Sequence, residues 1–156
     1  MENRRRELPP GQLLEQYREL LQDERITALP LVISGNSMSP FLVHGRDTIY
    51  LSRLTRAPRR GDALLYRRDN GAYVFHRVYA VKDGLLTMVG DAQTQLEPGI
   101  RPDQVIAVMT AAVRRGKHLA PGCFWWEFFE KIWIRMIPLR YPVRRLYAGL
   151  AGFIRH

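Results

Sequence analysis

The spacing of hydrophobic and polar positions changes twice along the chain. Over residues 11–26, Leu13, Leu14, Tyr17, Leu20 and Leu21 recur at helical intervals with Glu15, Arg18, Glu19 and Gln22 between them. That spacing predicts one amphipathic helix. After Pro30 come short apolar runs at 31–33, 48–51, 63–66, 73–81, 85–89 and 105–113, separated by Gly, Asp, Asn or Pro. Runs of that length between turn formers predict strands. Asn70-Gly71 and Asp83-Gly84 stand between successive runs, and such pairs close hairpins, so a meander is expected. Over 124–137 the helical period returns, with Glu127, Glu130, Lys131 and Arg135 on one face and Trp125, Phe128, Phe129, Ile132, Trp133 and Met136 on the other. Pro138 and Pro142 are expected to interrupt this helix. A second, shorter one is predicted over 143–156, with Arg144, Arg145 and Arg155 on its polar side.

The fold class expected is therefore mainly β, with an N-terminal amphipathic helix and an aromatic-rich helical tail. The segments are 1–28, 29–115 and 116–156. A hydrophobic share of 46% and a charged share of 25% over 156 residues agree with a globular chain.

Charge changes the picture of partners. The 24 Lys and Arg against 15 Asp and Glu leave +9, and nearly all the cations are arginine. Such a balance favours polyanions or anionic lipid. No nucleic-acid-binding motif accompanies the arginines, so no nucleic acid partner is expected. Cys123 is the only cysteine, which excludes an intramolecular disulfide and a cysteine-based zinc site. The four histidines form no ligand-like pairs with nearby acids, so neither metal nor cofactor is expected. The first seven residues hold five charges and residues 1–12 contain no apolar run, so no cleavable signal is expected. The longest uncharged stretch, 26–45, is broken by Pro30, Gly35, Asn36 and Pro40, and it is not expected to span a membrane. These features point to a cytoplasmic or peripherally membrane-associated protein.

The candidate chemistry begins at Ser34-Gly35-Asn36-Ser37-Met38-Ser39-Pro40, directly after an apolar run. A strand entering a tight turn can project the Ser37 hydroxyl into a cleft, with Gly35 allowing close backbone approach and the amides of Gly35, Asn36, Ser37 and Met38 available to an oxyanion. On these residues alone an ordinary loop explains the same pattern. Further segments come in order: Gly45-Arg46-Asp47, Arg60-Gly61-Asp62 leading into 63–66, Val74-Phe75-His76-Arg77-Val78, and Val89-Gly90-Asp91.

Together these segments resemble the signal peptidase I family over residues 31–109. More distantly they resemble the self-cleaving repressors of the bacterial DNA-damage response. The resemblance implies a β-fold peptidase in which Ser37 is the nucleophile and His76, standing before Arg77-Val78, is the base, as in the histidine-bearing branch of that family. No lysine precedes Lys82. A near-ordinary histidine suits a serine hydroxyl at neutral pH. Asp91 is the candidate third member, orienting the His76 imidazole, or else a turn aspartate; Glu97 is the first acid after it. Asp47 and Asp62 read as turn caps, and His44 and His118 as surface residues. The substrate implied is a leader or precursor peptide bound as an extended strand, with small residues before the scissile bond. The alternative is a non-catalytic or self-cleaving regulatory module on the same β-fold. A repressor also needs a helix-turn-helix, and a single helix precedes the strands.

The tail admits two readings. Its tryptophans and its arginines at 135, 140, 144 and 145 suit a helix lying in an anionic bilayer interface. The same apolar face can instead cover the sheet.

Overall fold

A computed structural model describes residues 10–153. The first nine residues and the last three, including Arg155, lie outside the described residues, as does the side chain of Arg144. Helix α1 covers Pro10–Leu20. Eight strands come after it: β1 Leu29–Val32, β2 Thr48–Ser52, β3 Ala63–Arg67, β4 Tyr73–Lys82, β5 Leu85–Val89, β6 Glu97–Ile100, β7 Val105–Arg114 and β8 Lys117–Leu119. They form one antiparallel sheet in the order β1-β2-β7-β3-β4-β5-β6, with β8 paired to the end of β7.

The predicted meander is β3-β4-β5, and β6 extends it at the edge of this sheet. Asp83 and Gly84 both take positive φ, 52° and 75°, which is what a two-residue hairpin turn requires. β6 and β8 were not predicted: four and three residues long, they carry no run of alternating apolar positions.

All three segments share one core. Leu21 from the first, Ile33, Phe41, Ile49 and Leu65 from the second, and Trp126, Phe129 and Trp133 from the third form a single buried cluster. A second cluster around Leu64, Tyr66, Val78 and Met88 lies on the other side of the sheet.

The tail departs from the expected helix in shape and in face. α2, Phe124–Glu127, runs into a π-turn at Phe128–Ile132 and a 3-10 turn at Trp133–Arg135. The buried face is also shifted from the expected one: Trp126 and Ile134 are buried while Trp125 and Ile132 are 45% and 52% exposed. Of the two readings of this apolar face, the structure shows the covering one for Phe129 and Trp133, which are core residues. Nor do the prolines divide the remainder of the tail: α3 runs from Ile137 to Phe153 with Pro142 inside it. Pro138 lies in the first turn, where its missing N–H has no helical partner, and Pro142 forfeits one bond just beyond it.

Candidate active site

The Ser37 turn is held from both sides. Gly35 adopts a φ of +82°, turning the chain out of β1, and the next anchor is Met38, buried in the main core. Ser39 N–H donates to the Asn36 carbonyl at 3.2 Å and Leu42 N–H to the Met38 carbonyl at 2.9 Å. Ser37, between these fixed points, lines a cleft of about 600 Å³. The Gly35 amide is spent elsewhere, because it donates to His44 Nδ1 at 2.9 Å. That removes Gly35 from the expected oxyanion donors. His44 is exposed, as a surface residue should be, yet its ring ties down the turn.

A second turn backs the first. Ala92 N–H donates to the Ser37 carbonyl at 2.8 Å. A Cβ on Gly90 would lie 2.5 Å from that same carbonyl oxygen, so only glycine permits this approach. Of the two roles expected for Asp91, orienting His76 or capping a turn, the structure shows no bond to His76 and pairs its carboxylate with Arg77. Both of its carboxylate oxygens accept from Arg77, at 3.0 Å from Nε and 3.0 Å from Nη2. Arg77 also donates to the Gly61 carbonyl at 2.8 Å. Asp91 and Arg77 are almost fully buried, and a two-pronged, charge-assisted pair of this kind holds the carboxylate toward Arg77. Asp47 and Asp62 are likewise paired, with Arg46 and Arg56 respectively, and accept backbone N–H bonds at turns.

His76 lies on β4 opposite Leu64 of β3 and is 5% exposed. Its Nδ1 is 3.4 Å from the Tyr66 hydroxyl. That hydroxyl donates to Glu97 Oε1 at 2.7 Å, and Arg68 pairs with the other carboxylate oxygen at 2.6 Å. A phenol has one proton to donate. With that proton directed to Glu97, the Tyr66 oxygen accepts from His76 Nδ1–H, which leaves the Nε2 lone pair free to take a proton. The group that sets the tautomer is thus Tyr66, held by Glu97. Sequence reasoning missed Tyr66 and Arg68, and it passed Glu97 only as the next acid after Asp91.

The electrostatics result from this burial. Desolvation pushes the His76 imidazole down to about 4, against the pull of the Glu97 carboxylate and with a smaller push from Arg68. Burial, and then the bond to Glu97, carry the Tyr66 hydroxyl well above the ordinary phenol range. Burial opposes ionisation of Glu97, yet the bonds from Arg68 and Tyr66 outweigh it and hold that carboxyl low.

His76 is therefore neutral through the physiological range and lower in basicity than the near-ordinary histidine expected. The unfolded chain takes up a proton near 6.5 that the folded chain refuses until about 4. Stability must fall as pH drops through that window, by roughly 3 kcal/mol from this residue. The urea midpoint of the wild type is expected to decline between pH 7 and pH 4.5 more steeply than that of His76→Gln. Parallel declines would contradict the burial assigned to the ring.

No protein-family model matches this chain, and no curated protein does.

Proposed function

We propose that this chain is a serine endopeptidase of the signal-peptidase type, cleaving a leader or precursor peptide with Ser37 as nucleophile and His76 as base. The observation that carries the reading is that both residues line one cleft, with the far side of the His76 ring occupied by Tyr66. In this reading the Ser37 oxygen attacks the scissile carbonyl carbon while His76 Nε2 accepts the hydroxyl proton. The developing oxyanion takes a hydrogen bond from the Ser37 amide. His76 then gives the proton to the leaving amine, and water, deprotonated by the same ring, hydrolyses the ester.

Two open strand edges support an extended substrate. Among the described residues β1 pairs with β2 alone. The β4-β5 ladder begins at Arg77, so among the described residues Tyr73–His76 are paired only on their β3 side. Leu31, Val32, Tyr73 and Val74 line the cleft together. A peptide added between two such edges gains main-chain hydrogen bonds whatever its sequence. The test is a fluorophosphonate probe, which bonds covalently to an activated serine: labelling should map to Ser37. A folded protein that takes no label would favour the non-catalytic module.

We propose that this protein binds anionic membrane surfaces peripherally, through α3. Among the described residues no helix is long and apolar enough to cross a membrane. Leu139, Tyr141, Leu146 and Leu150 of α3 are more than half exposed, and no acid comes after Glu130 in the sequence. Apolar and basic residues combined in this way suit an interfacial helix. The protein is expected to float with phosphatidylglycerol vesicles, less so in high salt, and not with phosphatidylcholine alone. Leu146→Glu with Leu150→Glu should abolish flotation, and unchanged flotation would remove α3 from the contact.

A further inference from the structure

Helix α1 lies across the cleft and is tied to both of its walls. The Tyr17 hydroxyl donates to the Pro30 carbonyl on β1, and the Tyr73 hydroxyl, at the start of β4, donates to the Glu15 carboxylate. Gly11 comes close against the same tyrosine, with space for a Cβ 3.7 Å from its ring. The helix is seated by Leu14 and Tyr17, which pack on the main core, and by the chain just after it, where Leu21 is buried. Leu13 belongs to neither core cluster and lines the cleft beside Leu14.

From this arrangement we infer that α1 closes one end of the substrate groove and that Leu13, with Leu14, forms a subsite for an apolar side chain of the peptide. The inference rests on the peptidase reading and goes further by assigning a sequence preference and a limit on reach. Tyr73 is three residues from His76, which in extended chain is about 10 Å. A peptide laid along β4 from the reacting carbonyl therefore meets α1 at its third or fourth residue. Glu15, the acid on this stretch of helix, is engaged by Tyr73, and Arg68, the cation lining the cleft, is engaged by Glu97. The side chain that reaches α1 finds leucines. Beyond that point a longer substrate must bend away from the sheet, so α1 sets how far from the cleavage point the peptide stays extended.

The experiment uses the full-length protein and a library of random decapeptides, with cleavage sites read by mass spectrometry. The same library is also captured on Ser37→Ala protein, which reports binding without turnover. Cleaved and captured peptides should share an enrichment for Leu, Ile, Phe or Met at the third or fourth residue on one side of the bond. Leu13→Asp should lower kcat/KM for a peptide with Leu at that position about 10-fold relative to one with Asn there, mainly through KM, and Leu13→Met should restore the preference. Circular dichroism and thermal unfolding check that both variants fold. A folded Leu13→Asp protein with the wild-type profile overturns the subsite while leaving the peptidase reading intact. Apolar-selective capture without any cleavage by wild type sinks the peptidase reading and keeps the subsite. Neither capture nor cleavage overturns both.

Discussion

Alanine at Ser37 is expected to abolish both peptide cleavage and fluorophosphonate labelling, with a rate loss of about 10⁵-fold or more, the scale seen when a serine–histidine system loses its nucleophile. The fold should survive, because the side chain is small, only half-buried and outside both core clusters. His76→Ala should be as severe, since the two groups act as one unit and either loss removes the activated alkoxide. The neighbouring variants separate the tautomer relay from the buried ion pair. Tyr66→Phe keeps the packing but frees His76 Nδ1, and a loss of about 10- to 100-fold in kcat is expected, the scale on which removing a partner that orients a histidine acts. Asp91→Asn leaves Arg77 buried with its charge uncompensated, a destabilisation of about 3–5 kcal/mol, so its main effect should be on the unfolding midpoint. Near-normal turnover by Ser37→Ala would end the nucleophile assignment. A catalytic loss in folded Asp91→Asn larger than that in Tyr66→Phe would return the orienting role to Asp91.

Truncation after Cys123 is expected to leave a chain that does not fold. It removes Trp126, Phe129 and Trp133 from the main core. The loss of one large buried aromatic costs about 3–5 kcal/mol, and three together approach the whole stability of an average domain, about 5–15 kcal/mol. Truncation also removes Arg140, which is fully buried. Its Nη1 donates to the carbonyls of Gly90 and Gln93, each at 2.9 Å, and its Nη2 to the Trp133 carbonyl at 3.0 Å. Trp133 Nε1 donates to the Asp91 carbonyl at 2.8 Å. The tail therefore grips the turn that supports Ser37. Arg140→Met keeps the apolar stem but strands these carbonyls, at about 1–3 kcal/mol for each one left unpaired, so a lowered melting temperature is expected in the full chain. A truncated protein with a cooperative unfolding transition would show that the tail is dispensable.

The elements that were legible before the structure were those with a local signature. α1 and the strands β1 to β5 and β7 announce themselves through apolar spacing and through glycine-bearing turns, because period and turn chemistry depend on neighbours a few residues apart. Ser37 and His76 were legible for a related reason: each sits in a short ordered motif. Tyr66 was not, because its meeting with His76 depends on antiparallel register. Leu64 stands opposite His76 and Val74 opposite Tyr66, which makes the two rings diagonal neighbours on one face.

Glu97 enters only through β6, whose pairing of Glu97 with Met88 no alternation in the sequence foretold. The choice between Arg77 and His76 as the partner of Asp91 was equally invisible, since a carboxylate after a Gly-Asp turn reaches whichever donor the sheet brings to it. The two readings of the aromatic tail differ only in what covers a face, and covering is decided by packing across the molecule. Residues 126, 129 and 133 find the core around Phe41, and Arg140 reaches carbonyls 50 residues back in the chain. Sequence alone determined the local periods, the net charge and the two short motifs that carry Ser37 and His76. Tertiary structure decided which buried groups surround the His76 ring, because the burial and pairing that set a tautomer or a pKa come from segments far apart in the chain.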